Sequence, residues 1–412
     1  MTREARFAIE ALRAGVPNRA AIRAMGNEHG AIEHRFDEAL RAAWAPGARS
    51  GLGFAGGFGT GKSHLLLYLA EVARQQNFVV SRIVISKETP LGQPAPLFAA
   101  AVRDAVLPEG PDDALSAALA ALRARPAAQE QLESAVGTQA VGFAPLFAAS
   151  LFLLRRAATP PEVVRQLERF LGGARLSPAA LRRALKAVGA QKTFAVGAVD
   201  ADDLVMQRIA FLPLLLRAAG YAGWCILLDE VELIGRYTPL QRALAYAWLA
   251  RWLGLAGTRP FPGIVAAYAI TDDFATAVIN ARLDSEKLPE RLRLKGRGSE
   301  AGLAQAAIGH IERTVQQHRL PPPDDAALTA CHDRLRALYA AAHDWPAPAL
   351  PPPERASSRT MRHYIKAWIT QWDMARLYGD AGVVVGETLV PRYDERDDLA
   401  ALPSAPDDDE VA

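Results

Sequence analysis

Gly56-Gly57-Phe58-Gly59-Thr60-Gly61-Lys62-Ser63 decides the reading of this chain. It fits the phosphate-binding loop pattern G-x-x-x-x-G-K-[ST] without a mismatch. A triphosphate is a dense anion that needs many donors close together, and glycines let the backbone wrap it with N–H groups inward. The apolar stretch Leu52–Ala55 runs into the loop as a strand, and Lys62 to Leu69 runs out of it as a helix. The helix N-terminus adds its positive dipole end. Lys62 is expected at the β- and γ-phosphates and the Ser63 hydroxyl on Mg²⁺, so ATP and Mg²⁺ are the expected ligands. With glycine at about 7% of residues, the pattern arises by accident in roughly one in a hundred chains of this length. The strand–loop–helix setting makes accident rarer still.

A second signal lies downstream. Trp224-Cys225-Ile226-Leu227-Leu228-Asp229-Glu230 is an apolar strand ending in two acids, the Walker B pattern. Asp229 is expected to bind Mg²⁺ through water and Glu230 to polarise the attacking water as general base. The plainer alternative is a buried strand ending in a surface acidic turn. Glu232 reads as a solvated carboxylate rather than the base. Gly263–Ile270 is a third strand, ending in Thr271-Asp272-Asp273. Thr271 is read as a γ-phosphate sensor, although a helix N-cap would use the same residue. Arg291–Lys295 is read as a fifth strand. Arg291 and Arg297 are either trans-acting arginine fingers, which would require a homo-oligomer, or a solvated basic turn. Arg359 opens the last helix, where the dipole disfavours cations. It is read as a γ-phosphate sensor, with a surface ion pair as the alternative.

These elements predict an α/β P-loop NTPase close to the AAA+ type, a parallel sheet flanked by helices. An N-terminal helical segment covers 1–48 and the first part of the ATPase core 49–109. A helical insertion covers 110–200, and the second part of the core, with Walker B and sensor, 201–298. A C-terminal helical lid covers 299–393 and an acidic tail, read as disordered, 394–412. Within the lid, Tyr364, Trp368 and Trp372 recur at spacings of four and read as core. Val16–Asn18 reads as a helical connector or as a cover for the adenine. Gly51-Leu52-Gly53-Phe54-Ala55-Gly56 also spells the dinucleotide fingerprint G-x-G-x-x-G. No strand precedes it and no helix opens from it, so that reading is rejected.

Composition bounds the rest. Half of the 412 residues are hydrophobic and net charge is only +2. That charge is uneven: residues 394–412 carry a net −7 and residues 1–393 about +9. Cys225 and Cys331 form no C-x-x-C pair, which argues against a zinc site or disulfide framework and suits a reducing cytoplasm. The longest apolar run, Ala140–Leu154, is too short to span a bilayer, so no membrane partner is expected. Between Ser150 and Ala195 stand nine basic residues and two acidic ones. In the helix opening at Ser177-Pro178, Leu181, Ala184, Leu185 and Val188 share one face, with Arg182, Arg183 and Lys186 away from it. Such a basic face suits the phosphates of duplex DNA. An ordinary solvated face, or a dock for an acidic partner such as Asp407–Glu410, is the alternative.

A family resemblance joins these segments. The loop form Gly57 through His64 is followed by Asn77-Phe78-Val79-Val80-Ser81 and Ile85-Ser86-Lys87-Glu88-Thr89-Pro90-Leu91. Ahead of it stands Glu10-Ala11-Leu12-Arg13-Ala14-Gly15-Val16-Pro17-Asn18-Arg19. Together they resemble the ATP-binding proteins of BREX phage-defence systems, the BrxD type. The resemblance implies an intracellular bacterial ATP-binding protein that works with other phage-defence proteins against phage DNA. Two modes of action follow: an ATP hydrolase that remodels DNA or a protein partner, or a slowly hydrolysing, nucleotide-held switch that assembles a defence complex.

Overall fold

The computed structural model describes residues 3–15, 18–27, 29–45, 51–110, 113–138, 142–255, 261–321, 323–350 and 360–379. They fall into two compact units. One draws on Asn27–Gly57 and Lys62–Leu320, the other on Met1–Gly26, Phe58–Gly61 and Pro321–Ala412.

The larger unit is built on a five-stranded sheet. Its strands are β1 (Gly51–Ala55), β2 (Phe78–Val84), β3 (Ala105–Val106), β4 (Gly223–Asp229) and β5 (Ile264–Ile270). Their order is β1-β5-β4-β2-β3, parallel throughout except for the short β3. Every residue of β4 and β5 is buried, as continuous apolar runs require when helices cover both faces. β5 therefore stands between the strand that enters the glycine loop and the strand that ends in Asp229.

Strand alternation assigns side chains to two faces. One face carries Phe54, Val80, Leu227 and Ala269. It packs against Leu65, Leu66 and Leu69 of α4 (Lys62–Gln75) and Phe36 and Leu40 of α3 (Gly30–Arg41). The other carries Ile83, Ile226, Leu228 and Tyr268. It packs under α5 (Pro94–Arg103), α11 (Ala201–Ala219), α12 (Pro239–Trp252) and α14 (Gly298–Gln317). Gly53 belongs to this second face. A Cβ there would stand 2.3 Å from the Tyr268 ring on the neighbouring strand. The glycine of the apparent dinucleotide fingerprint is thus explained by sheet packing.

The insertion contains α6 (Ala114–Arg123), α7 (Pro126–Gly137), α8 (Pro145–Leu154), α9 (Pro161–Leu171) and α10 (Pro178–Ala187). Four of these open on proline, whose fixed φ suits a first helical position and whose missing N–H costs nothing there. α8 is buried on almost every side, and Ser150 in it donates to its own helix at Leu146 O, 2.7 Å. The last ten residues of the long apolar run are therefore a buried helix of the insertion. Its core is continuous with the second face of the sheet. Among the described residues no helix is long and apolar enough to cross a membrane.

One expectation is corrected here. Arg291–Lys295 is no strand; it closes α13 (Asp284–Leu294). The alternation of Leu292 and Leu294 imitates a strand, but the buried pair is Leu288 and Leu292, four apart, while Leu294 is 81% exposed. α13 is held to α12 by a buried, bidentate ion pair. Arg242 Nε and Nη2 each donate to Asp284 at 2.7 Å, and the Tyr246 hydroxyl adds a third bond at 3.0 Å.

The smaller unit packs α1 (Arg3–Ala14) and α2 (Arg19–Met25) with α15 (Asp325–His343) and α16 (Met361–Tyr378). Tyr364, Trp368 and Trp372 are buried in it, so the aromatic repeat is core. Asn18 caps α2, its side chain accepting from Ala21 N at 2.9 Å. Val16 and Pro17, the rest of that segment, lie outside the described residues.

Candidate functional site

The C-terminal ends of β1, β5 and β4 lie side by side on one edge of the sheet, where open parallel sheets gather ligands. Gly56 N donates to Ile270 O at 3.1 Å, so the glycine loop leaves from the tip of β5. Lys62 heads α4 and is only 8% exposed. Its ammonium donates to Gly56 O at 2.8 Å and Gly57 O at 3.1 Å. It is thus aimed into its own loop. Ser63 and His64 follow in the first turn of α4, half-buried. Gly59 and Gly61 have φ of +77° and +102°, a region that only glycine enters without strain. Gly59 belongs to the smaller unit's packing. A Cβ on it would meet the Thr360 hydroxyl at 2.6 Å. Thr360 and His363 form the capping box of α16. Arg359, the expected lid sensor, lies outside the described residues.

Face parity places the acidic groups. Leu227 and Ala269 face α4, so Asp229 and Thr271, two residues on, emerge at the same face. Asp229 is 2% exposed. Its Oδ1 accepts from Glu230 N at 3.1 Å, and its Oδ2 accepts from Arg82 Nη2 at 2.6 Å. Thr271 is buried at the end of β5. Glu230 is exposed and has φ 56°, ψ 37°, a left-handed backbone in a residue with a side chain. Such a conformation costs of order 1–3 kcal/mol and persists only where its surroundings impose it.

Two residues here escape sequence reasoning. Glu232, expected to be solvated, is sunk into the 3₁₀ turn Val231–Arg236, with its Oε2 sealed from water and bonded to nothing. Burial raises its carboxyl from 4.5 to about 7; Lys62 and a backbone hydrogen bond oppose the shift, and Asp229 and Glu230 add to it. Arg82 is the other. It lies on β2 two residues beyond Val80, hence on the α4 face, and reaches the Asp229 carboxylate. The signal for it was the polar pair Ser81-Arg82 inside an apolar strand. Ser81 is accounted for by bonds to Ala101 O and from the Trp224 indole.

The sequence's other candidates lie elsewhere. Arg291 is half-buried on α13, and Arg297 is exposed at the start of α14. On α10, Leu181 and Leu185 are buried, Ala184 and Val188 half-buried, and Arg182, Arg183 and Lys186 exposed, as the periodicity predicted. All nine basic residues between 150 and 195 are exposed. Arg155 is engaged with Glu130 and Glu133. Asp407–Glu410 lie outside the described residues.

Residues 1–134 match the family of the BREX system ATP-binding protein BrxC/D. The family resemblance read from the sequence is borne out over this stretch. The matched stretch contains the glycine loop, α4 and Arg82 on β2, and it ends within α7. No curated protein and no solved structure matches the chain. The description of the matched family names the BREX system, a phage-defence system, and ATP binding.

Proposed function

We propose that this chain is an Mg·ATP-dependent hydrolase of the AAA+-like P-loop class, working in BREX phage defence. The observation that carries the reading is a juxtaposition on one sheet face. Helix α4, headed by Lys62, packs on the sheet face at which buried Asp229 ends β4, with exposed Glu230 next in the chain and β5 between β4 and the loop strand. The residues fit ATP: an ammonium seated on loop carbonyls, glycines in left-handed conformation, and the N-terminus of α4 directly after the loop. They also fit magnesium, which keeps most of its waters and asks the protein for one or two oxygens, here Ser63 and Asp229.

In this reading Lys62 exchanges its two carbonyl partners for β- and γ-phosphate oxygens. The backbone N–H groups of Gly57–Ser63 bind the phosphates, and the dipole of α4 favours their charge. Magnesium, when bound, neutralises charge that develops on the phosphates. Glu230 orients the attacking water and takes its proton. Thr271, at the end of β5, senses the γ-phosphate, and Arg359 is proposed to do so from the lid. Glu232 titrates close to neutrality, where a proton is most easily passed on, and is the second carboxylate available for that task.

A second reading is favoured by the Arg82–Asp229 ion pair: with the metal-side carboxylate engaged, the protein is a slowly hydrolysing switch that assembles a complex. The partners proposed are other phage-defence proteins and duplex DNA, the latter at the exposed basic face of α10. ATP turnover by the purified chain, with and without duplex DNA, separates the readings. Strong stimulation by DNA supports the remodelling enzyme. Tight ATP binding with negligible turnover in both cases supports the switch. Absence of ATP binding refutes both.

A further inference from the structure

Arg82 has no part in the phosphate-loop chemistry described above, yet it holds the carboxylate on which that chemistry depends. Its placement follows from β2. Phe78 and Val80 point into the core under α4, so Arg82, next in the alternation, comes out on the same face near the strand's end. The next strand is β4, where Val84 is in register with Asp229. Arg82 therefore reaches across one strand spacing to the Asp229 carboxylate, 2.6 Å from Nη2 to Oδ2.

The pair is unequal. The Asp229 side chain is 2% exposed and cannot turn to water for compensation, whereas that of Arg82 is 35% exposed. Arg82 Nε is buried and makes no hydrogen bond, so the guanidinium is attached at one end and not as a two-pronged fork. A single charge-assisted bond to a partly solvated arginine is enough to neutralise a buried carboxylate, and it is also the kind of bond a stronger cation displaces.

We propose that Arg82 is a gate on the magnesium site. In the nucleotide-free protein its guanidinium is the counter-ion of Asp229. Mg²⁺ arriving with nucleotide must displace it, and the arginine swings outward into solvent on its exposed side. The gate thereby sets how much Mg²⁺ tight nucleotide binding requires. The inference rests on the assignment of Asp229 as the metal-side carboxylate.

The test uses the full chain and a fluorescent ATP analogue. Nucleotide affinity is measured in EDTA and across a Mg²⁺ series for the wild type, Arg82→Ala, Arg82→Lys and Asp229→Ala. Removing the competing bond should lower the Mg²⁺ midpoint for tight binding in Arg82→Ala by about tenfold, the worth of one charge-assisted hydrogen bond. Arg82→Lys, which keeps the charge without the planar fork, should fall between. Affinity in EDTA should stay within about twofold of wild type, since the gate touches the carboxylate and not the phosphates. A midpoint that is unchanged or raised in Arg82→Ala overturns the gate. So does a loss of affinity in EDTA, which would make Arg82 a phosphate ligand. Failure of the underlying assignment looks different: Asp229→Ala would then keep the wild-type Mg²⁺ dependence. A variant that does not fold is recognised by its melting curve in EDTA, and the Lys variant then decides alone.

Discussion

Replacing Glu232 by glutamine should remove a pH dependence of stability that the fold itself creates. Burial raises the Glu232 carboxyl from its ordinary 4.5 to about 7 in the folded protein. Between those two values the folded protein holds a proton that the unfolded chain has released. Stability must therefore fall as pH rises through that window, and it stays low above it. The separation corresponds to about 3 kcal/mol, an upper figure, since partial unfolding or water entry would reduce it. Glutamine fills nearly the same space without the charge. The measurement is urea unfolding of nucleotide-free protein at pH 5 and pH 8, followed by tryptophan fluorescence; Trp224 and Trp252 in the sheet unit are fully buried reporters. The wild type should lose about 2.5 kcal/mol more than Glu232→Gln between the two pH values, since the unfolded carboxyl is already mostly ionised at pH 5. Losses that agree to within about 1 kcal/mol would refute a buried, proton-holding Glu232.

Glu230→Gln should keep ATP affinity in direct titration and slow turnover by about 10²–10⁴, because an amide holds a water but cannot take its proton. If that variant turns over at the wild-type rate and Glu232→Gln does not, Glu232 is the base. Asp284→Asn should cost about 3–5 kcal/mol in the same urea experiment, because it leaves the Arg242 guanidinium buried without its counter-charge. Reversing Arg182, Arg183 and Lys186 to Glu should flatten the dependence of log K for duplex DNA on log salt by roughly 2–3, from about 0.9 per phosphate contact. An unaltered slope and affinity would leave α10 as a protein dock or a plain solvated face.

The parts of this molecule that could be read from its sequence are those in which one local constraint does the work. The glycine loop is legible because positive φ at Gly59 and Gly61 excludes other residues. β4 and β5 are legible because burial on both faces demands unbroken apolar runs. The basic face of α10 is legible because Leu181 and Leu185 are anchored four apart. α13 misled for the same local reason: Leu292 and Leu294 alternate, and only burial tells that Leu294 takes no part in the core.

Glu232 and Arg82 could not be read this way, because neither is defined by its neighbours in sequence. Glu232 follows an acidic pair and looks solvated, until the turn after β4 buries it and so raises its carboxyl. Arg82 is separated from Asp229 by 147 positions. What joins them is the adjacency of β2 and β4, together with the parity that sends both side chains to the α4 face. A sequence with the same two motifs and an apolar residue at position 82 would look equally competent to bind Mg·ATP. It would lack the counter-ion that holds the Asp229 carboxylate. On the proposed reading, the two motifs specify what chemistry the sheet edge can perform. The strand beside them, through one arginine, is proposed to specify what must be displaced before that chemistry begins.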